Sequence, residues 1–318
     1  MTMSDLIDLA AIRDAADAVR GVVHRTPMAA SSYLSAQSGY RVTLKLELFQ
    51  KTGSFKVRGV VNTLRQLTAA QQRAGVVSLS AGNHAQALAW GAARLGFCAT
   101  IVMPSSALPS KVAATRAYGG EVIQTAGDLL ATALELQAAR DLTLIHPFDD
   151  TRVIAGQATV GLEVVEDVPD VDLVLVACGG GGLLAGVAAA VKLLRPQAQV
   201  IGIEPEGAAA MAQSLKAGTP QRLASLNTIA DGLAAPFAGA RPLAHVQAFV
   251  DKLLVIPDTD IIRGTRALME RCKLMAEPAA GAAVAPLLTG SLTVPAGARV
   301  VAIVCGGNVD LDQMKSWL

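Results

Sequence analysis

Short apolar runs alternate along this chain with longer, alanine-rich segments. Val76–Leu79, Thr100–Met103 and Glu121–Ile123 read as strands, separated by stretches of helical spacing at about 83–95, 110–118 and 128–140. A second series follows: strand Leu173–Ala177, helix 183–195, strand Val200–Glu204, helices near 260–273 and 279–288, and a last strand Val300–Val304. Apolar runs of this length, without alternation, are strands buried on both faces. Interleaved with helices, they predict parallel α/β sheets joined by right-handed crossovers. The segment from Val42 to Leu48 alternates with period two, as a strand with one wetter face does. A helix led by Ser4 is expected over 4–20, and another over 54–70 after the turn at Gly53. Leu173 to Val191 carries no charge over a length that could span a membrane. The glycines Gly179 to Gly182 interrupt it, and four poor helix formers in a row predict strand, loop and helix instead.

Composition narrows the function. With 318 residues, the chain suits one large or two modest domains. Hydrophobic residues are 52% and charged residues 17%, enough for a large core. The net charge is +1 and aromatic residues are 3%, so neither a phosphate-tracking surface nor a base-stacking platform is expected, and no nucleic-acid partner. Cys98, Cys178, Cys272 and Cys305 lack the spacing of a zinc site, and four thiols in so long a chain do not predict a disulfide framework. The start, Met1 to Asp5, lacks the basic and apolar regions of a signal peptide, which makes the cytoplasm the default location. Pro147 with Asp149 and Asp150 suits a crossover between domains near residue 150.

Four places carry candidate chemistry. Cys178 to Ala185 follows an apolar strand and opens a helix. Its glycines let several N–H groups converge beside the positive end of that helix, which makes a phosphate cradle. The same residues fit GxGxxA, and Glu204 ends the next strand where a ribose-binding acid would stand, so a dinucleotide site is an open alternative here. Lys56 is expected in the first turn of a helix, where a cation is disfavoured and a neutral amine more comfortable, and nearby Arg58 lowers an amine pKa further. Alone, it could equally be a surface lysine. Ser80-Ala81-Gly82-Asn83-His84 begins a helix after a strand and offers N–H groups, an amide and an imidazole to an anion. Cys305 follows the last strand, at the end where α/β sheets place ligands, though it could equally be inert core.

Together with His24-Arg25-Thr26-Pro27, Lys45-Leu46-Glu47, His146-Pro147-Phe148-Asp149-Asp150, Ile154-Ala155-Gly156-Gln157, Ile229-Ala230-Asp231-Gly232 and Glu277-Pro278, these motifs occur in an order that resembles the fold-type-II pyridoxal-phosphate enzymes, within them the threonine/serine dehydratase and serine racemase group. The resemblance runs nearly end to end. It implies pyridoxal 5′-phosphate as cofactor, Lys56 as the Schiff-base lysine and base, Phe55 against the pyridine ring and Asn83 on the 3′ oxygen. It places the phosphate on Gly179, Gly180, Gly181, Gly182 and Leu183, Cys305 at the ring nitrogen and Glu277 near the cofactor. Ser80, Ala81, Gly82, Asn83 and His84 would grip the substrate carboxylate.

The resemblance also implies two α/β domains with parallel or mostly parallel sheets, the larger from 1–74 and 151–318 and the smaller, mobile one from 75–150. The implied activity is elimination of water from a β-hydroxy amino acid, L-threonine or L-serine first, giving an α-keto acid and ammonia. Alternatives are 3-hydroxyaspartate, phenylserine, a hydroxyectoine-derived intermediate, or serine racemisation. Two departures bear on this. Ala81 stands where racemases have a second serine, which argues for elimination. Ala210 stands six residues after Glu204, where metal-binding members have an acid, so no metal site is expected. A homodimer or homotetramer acting on a small amino acid is implied, with no membrane partner.

Overall fold

The computed structural model describes residues 6–317. Ten strands form two sheets. Six of them, β1 (Met28–Ala30), β2 (Arg41–Leu46), β7 (Leu173–Ala177), β8 (Gln199–Pro205), β9 (Lys252–Ile256) and β10 (Arg299–Val304), lie in the order β1-β2-β10-β7-β8-β9. The other four, β3 (Val76–Leu79), β4 (Ala99–Pro104), β5 (Glu121–Thr125) and β6 (Thr143–Leu144), lie in the order β5-β4-β3-β6. Every pairing is parallel except β1 with β2. The α/β reading with mostly parallel sheets therefore holds. No helix among the described residues is long and apolar enough to cross a membrane, and the uncharged run Leu173–Val191 is β7, the glycine loop and most of a helix.

β7 is buried at all five positions, as an uninterrupted apolar run requires. β10, last in sequence, pairs with both β2 and β7 at the centre of the larger sheet. The carboxyl ends of β3, β6, β7 and β10 lead into Ser80–His84, His146–Pro147, the glycine loop and Cys305, so one geometric rule gathers four separated motifs.

Several elements differ from expectation. The first helix is Leu9–Val19, capped by Asp8, whose carboxylate accepts from the Ala11 N–H at 2.8 Å; Ser4 lies outside the described residues. The stretch 54–70 is one helix, Lys56–Leu64, followed by a second, Ala69–Ala74, that starts afresh because Thr68 and Gln71 form a capping box. The helix expected at 260–273 changes to a π turn after Arg266, and that at 279–288 is divided before Pro286.

β2 has no wet face at its end. Lys45, Glu47 and Arg58 are completely buried and meet Glu163 of the helix Thr151–Asp167. Lys45 Nζ donates to Glu163 at 2.6 Å, and the Arg58 guanidinium donates to both Glu47 oxygens at 2.7 and 2.8 Å and both Glu163 oxygens at 2.7 and 2.9 Å. Two cations and two anions thus cancel out of reach of water. Burial alone would raise the Glu163 pKa, but hydrogen bonding and charge from Arg58, with Lys45, hold it below the usual value. The helices Lys56–Leu64 and Thr151–Asp167 cross where Gly59 meets Gly156. A Cβ on Gly156 would stand 2.5 Å from the Gly59 Cα, so only glycine permits this approach.

Glu204 ends β8 completely buried and accepts from the Met211 and Ala212 N–H groups at 2.7 and 2.9 Å. Its carboxylate is thus spent on the start of the helix Ala210–Ala217, which removes the ribose-binding role of the dinucleotide alternative. Burial outweighs those two donors and lifts its pKa to about 7. The folded chain keeps the proton up to that pH, whereas the unfolded chain releases it near 4.5. Between these values the native state binds more protons, so stability is greatest below the window and falls as pH rises through it. Glu204→Gln is expected to flatten this slope. The variant-minus-parent difference in unfolding free energy should change by about 1–3 kcal/mol between pH 4.5 and 7.5. A difference constant with pH, from urea unfolding at each pH, would show that Glu204 titrates normally.

Candidate active site

Between the two sheets lies a cavity of about 480 Å³ whose wall includes every site residue expected from sequence: Phe55, Lys56, Ser80 to His84, Gly179 to Leu183, Glu277 and Cys305. A wider depression of about 700 Å³, between the helices Leu9–Val19 and Thr151–Asp167, contains none of them.

Lys56 is the first residue of its helix. The chain enters through Thr52 and Gly53, both at positive φ, and the Phe55 N–H donates to the Cys305 carbonyl at 3.1 Å, fixing this entry to the end of β10. Lys56 Nζ donates to the Pro147 carbonyl at 3.0 Å and lies 5.2 Å from the centre of the Phe55 ring. Burial lowers its pKa to about 8, against the opposing influence of Cys305 and Glu277. An amine so placed is readily neutral, as a nucleophile or base must be.

The glycine loop is built for an anion. Gly181 has φ +93°, and a Cβ on Gly180 would stand 2.5 Å from the Phe148 ring. The first backbone bond of the following helix runs from the Ala185 N–H to the Gly181 carbonyl. The N–H groups before it, from Gly182 to Leu184, are the orphan donors of a helix start. They lie at the positive end of that helix and suit a phosphate.

Across the cavity, the helix Asn83–Leu95 begins the same way, its first bond running from the Gln86 N–H to the Gly82 carbonyl. The Ser80 hydroxyl accepts from the Gly82 N–H at 3.2 Å. Asn83 Nδ2 donates to Glu277 at 2.8 Å, and Asn83 Oδ1 accepts from Asn308 at 2.8 Å. Burial, with Asp231 nearby, raises the Glu277 pKa to about 7. Burial, with Glu277, pushes the Cys305 thiol well above its usual value, so it is a neutral group. His84 bonds through Nε2 to Ser78 at 3.1 Å, while its Nδ1 is buried without a partner. Burial keeps this imidazole neutral.

Several wall residues were not singled out as site residues from sequence. Lys111 forms an ion pair with Asp231 across the cavity. His146, Phe148 and Phe237 make an aromatic wall, with ring centres 4.6 Å apart for His146–Phe148 and 5.5 Å for Phe148–Phe237. The only sequence signal for His146 was its place in the His-Pro-Phe-Asp-Asp run.

The donor set fits pyridoxal phosphate. It joins, on one cavity wall, an amine of lowered pKa, the Phe55 ring, a neutral thiol and the unused N–H groups of a helix start. Residues 19–306 match the family model of the pyridoxal-phosphate dependent enzymes. The L-threonine ammonia-lyase of Thermotoga maritima is 40% identical over 97% of this chain and 77% of its own length. The phenylserine dehydratase of Ralstonia pickettii is 41% identical over 96% of this chain and 94% of its own. The structure of maize serine racemase superposes with a TM-score of 0.92 at 37% identity, covering 97% of this chain and 96% of that one. The chain belongs to the pyridoxal-phosphate dependent enzymes, and within them to the threonine dehydratase-like group.

Proposed function

We propose that this protein is an ammonia-lyase that removes water from L-threonine or L-serine and releases an α-keto acid and ammonia. The observation that carries the reading is the placement of Lys56, a buried amine of lowered pKa between a phosphate cradle and a second helix start. Pyridoxal phosphate, when bound, supplies the electron sink that weakens the Cα–H bond of the substrate. Lys56 would hold the cofactor, and its Nζ, when free and neutral, would take the Cα proton. Its ammonium can return a proton to the departing β-oxygen, so that water leaves. The N–H groups from Asn83 to Ala85 bind the substrate carboxylate at a helix start. Asn83, oriented by Glu277 and Asn308, would meet the cofactor's 3′ oxygen. Cys305, kept uncharged by burial, would meet the ring nitrogen and leave it without an acidic partner. The stretch 75–150, which contains the smaller sheet, acts as the mobile part that closes on substrate. The working unit is a homodimer or homotetramer.

A second reading, phenylserine as substrate, is favoured by the aromatic wall of Phe148 and Phe237, which could receive an aryl group. Racemisation is disfavoured because Ala81 has no proton to give on the face opposite Lys56. The discriminating experiment measures α-keto acid release from L-threonine, L-serine, threo-3-hydroxyaspartate and L-threo-phenylserine, with chiral analysis of serine. Threonine or serine is expected to give the largest kcat/KM, with D-serine formation at least ~100-fold slower than elimination. Preference for the aryl substrate would move the function to the second reading. Rapid D-serine formation would overturn elimination as the main activity.

A further inference from the structure

We infer that His146 binds the β-hydroxyl of the substrate through its Nε2–H and thereby selects for hydroxyl as the leaving group; this rests on the ammonia-lyase reading above. His146 follows β6 and lines the cavity. Its Nδ1 accepts the Asp149 N–H at 2.9 Å and, more weakly, the Phe148 N–H at 3.4 Å. A ring nitrogen that accepts is unprotonated, so the proton of the neutral imidazole is fixed on Nε2. Nε2 has no hydrogen-bond partner among the described residues, nor is it among their buried, unpartnered polar atoms. The donor is open to the cavity.

Its surroundings keep the ring a donor and not an acid. Burial, the largest influence, together with Lys56 and Arg241 disfavours the imidazolium and outweighs Asp149 and Asp150, which favour it. Phe148 meets the ring edge-on, with an interplanar angle of 88°, and itself packs against Gly180 of the phosphate loop. The place of the donor follows from its neighbour. Pro147, the next residue, holds Lys56 Nζ through its carbonyl. A Cα proton within reach of Nζ puts Cβ and its oxygen beside this same segment. The hydrogen bond stabilises oxygen as the C–O bond lengthens, and His146 keeps its proton throughout. His84, the other imidazole of the wall, already spends Nε2 on Ser78 and cannot serve.

The test compares two substrates of one carbon skeleton. L-Serine loses its β-oxygen as water, with the proton from Lys56 and the developing charge on oxygen held by the His146 donor; β-chloro-L-alanine loses chloride, which needs neither. In His146→Asn the amide oxygen can still accept from Asp149, but the Nε2 donor is gone. In His146→Gln a donor returns near the Nε2 position. For the holoenzyme, His146→Asn is expected to lower kcat/KM for L-serine by ~100-fold, the scale of losing one aimed donor, and for β-chloro-L-alanine by less than ~5-fold. His146→Gln should recover at least ~10-fold of the serine loss. A second readout does not depend on turnover. Nitrogen-15 spectra of the histidines, with the His146 signal identified by its loss in the variants, should show a neutral ring protonated on Nε2 from about pH 6 to 9. Equal losses for both substrates, or an Nδ1-protonated or charged ring in that range, would overturn the inference while leaving the lyase reading intact. Absence of elimination from both substrates by the unaltered enzyme would overturn the lyase reading and the inference with it.

Discussion

Replacing Lys56 by alanine is expected to lower α-keto acid release by about 10⁴-fold or more, because one side chain supplies both the attachment point and the base. The effect should fall on kcat, since the loop Ser80–His84, proposed above to bind the substrate carboxylate, is untouched. The loss is one of chemistry and not of fold. Lys56 makes one protein hydrogen bond, to the Pro147 carbonyl, and its pKa of about 8 shows that its charge is not held by a strong counter-ion. Alanine, the best helix former, also suits a first helical position. The variant should therefore unfold within about 1 kcal/mol of the parent. Borohydride reduction of the parent should attach the cofactor irreversibly to the peptide containing Lys56, and the variant should show no such attachment. Addition of a primary amine should restore part of the activity by supplying a base in the vacated space. Residual activity above one hundredth of the parent would mean that another group takes the Cα proton, and the role given to Lys56 would be wrong.

The site was legible because its parts are local in sequence. A glycine run after an apolar strand, or an isolated lysine at a helix start, carries its meaning within ten residues, and the carboxyl-end rule of parallel sheets then brings the pieces together. His146 was not legible in the same way. A single histidine has no direction until its partners are known, and the tautomer of His146 is fixed by N–H groups two and three residues ahead in a turn that periodicity does not show. The helix Thr151–Asp167 was missed for the opposite reason. It is buried on most of its faces, so the apolar stripe that marks a helix is absent. The centre position of β10 likewise has no signature along the chain, since its partners β2 and β7 are far from it in sequence. β2 misled most directly. Its period-two pattern is that of a half-exposed strand, yet Lys45 and Glu47 are buried because Glu163 and Arg58 neutralise them. Sequence spacing cannot show that a charge has a partner more than a hundred residues away.

That neutralised cluster is where a single substitution should cost most stability. Arg58 gives four hydrogen bonds to two buried carboxylates, a fifth, at 3.1 Å, to the Thr159 hydroxyl and a sixth, at 3.3 Å, to the His24 carbonyl. Methionine fills a similar volume but leaves Glu47 and Glu163 with Lys45 as the one remaining buried cation of the quartet. An uncompensated buried charge costs several kcal/mol, so Arg58→Met is expected to lose about 3–5 kcal/mol in urea unfolding of the holoenzyme. Arg58→Lys restores the charge but not the planar fork that reaches two carboxylates at once, and should lose nearly as much. The decisive comparison is the double change Arg58→Met and Glu47→Gln, which leaves Lys45 and Glu163 as a neutral pair. If the penalty is mainly the stranded charge, removing it should recover more than half of the single-variant loss. If it is lost packing, the double variant should be no better than Arg58→Met. The cluster also bears on the chemistry, because Arg58 lies two residues beyond Lys56 and anchors the helix that presents it. Arg58→Met should therefore reduce kcat even where the protein is fully folded, and the Gly59–Gly156 crossing sets how far that helix can move. A loss below 1 kcal/mol would show that water reaches these charges after the change and that burial of the quartet is not what holds the two helices together.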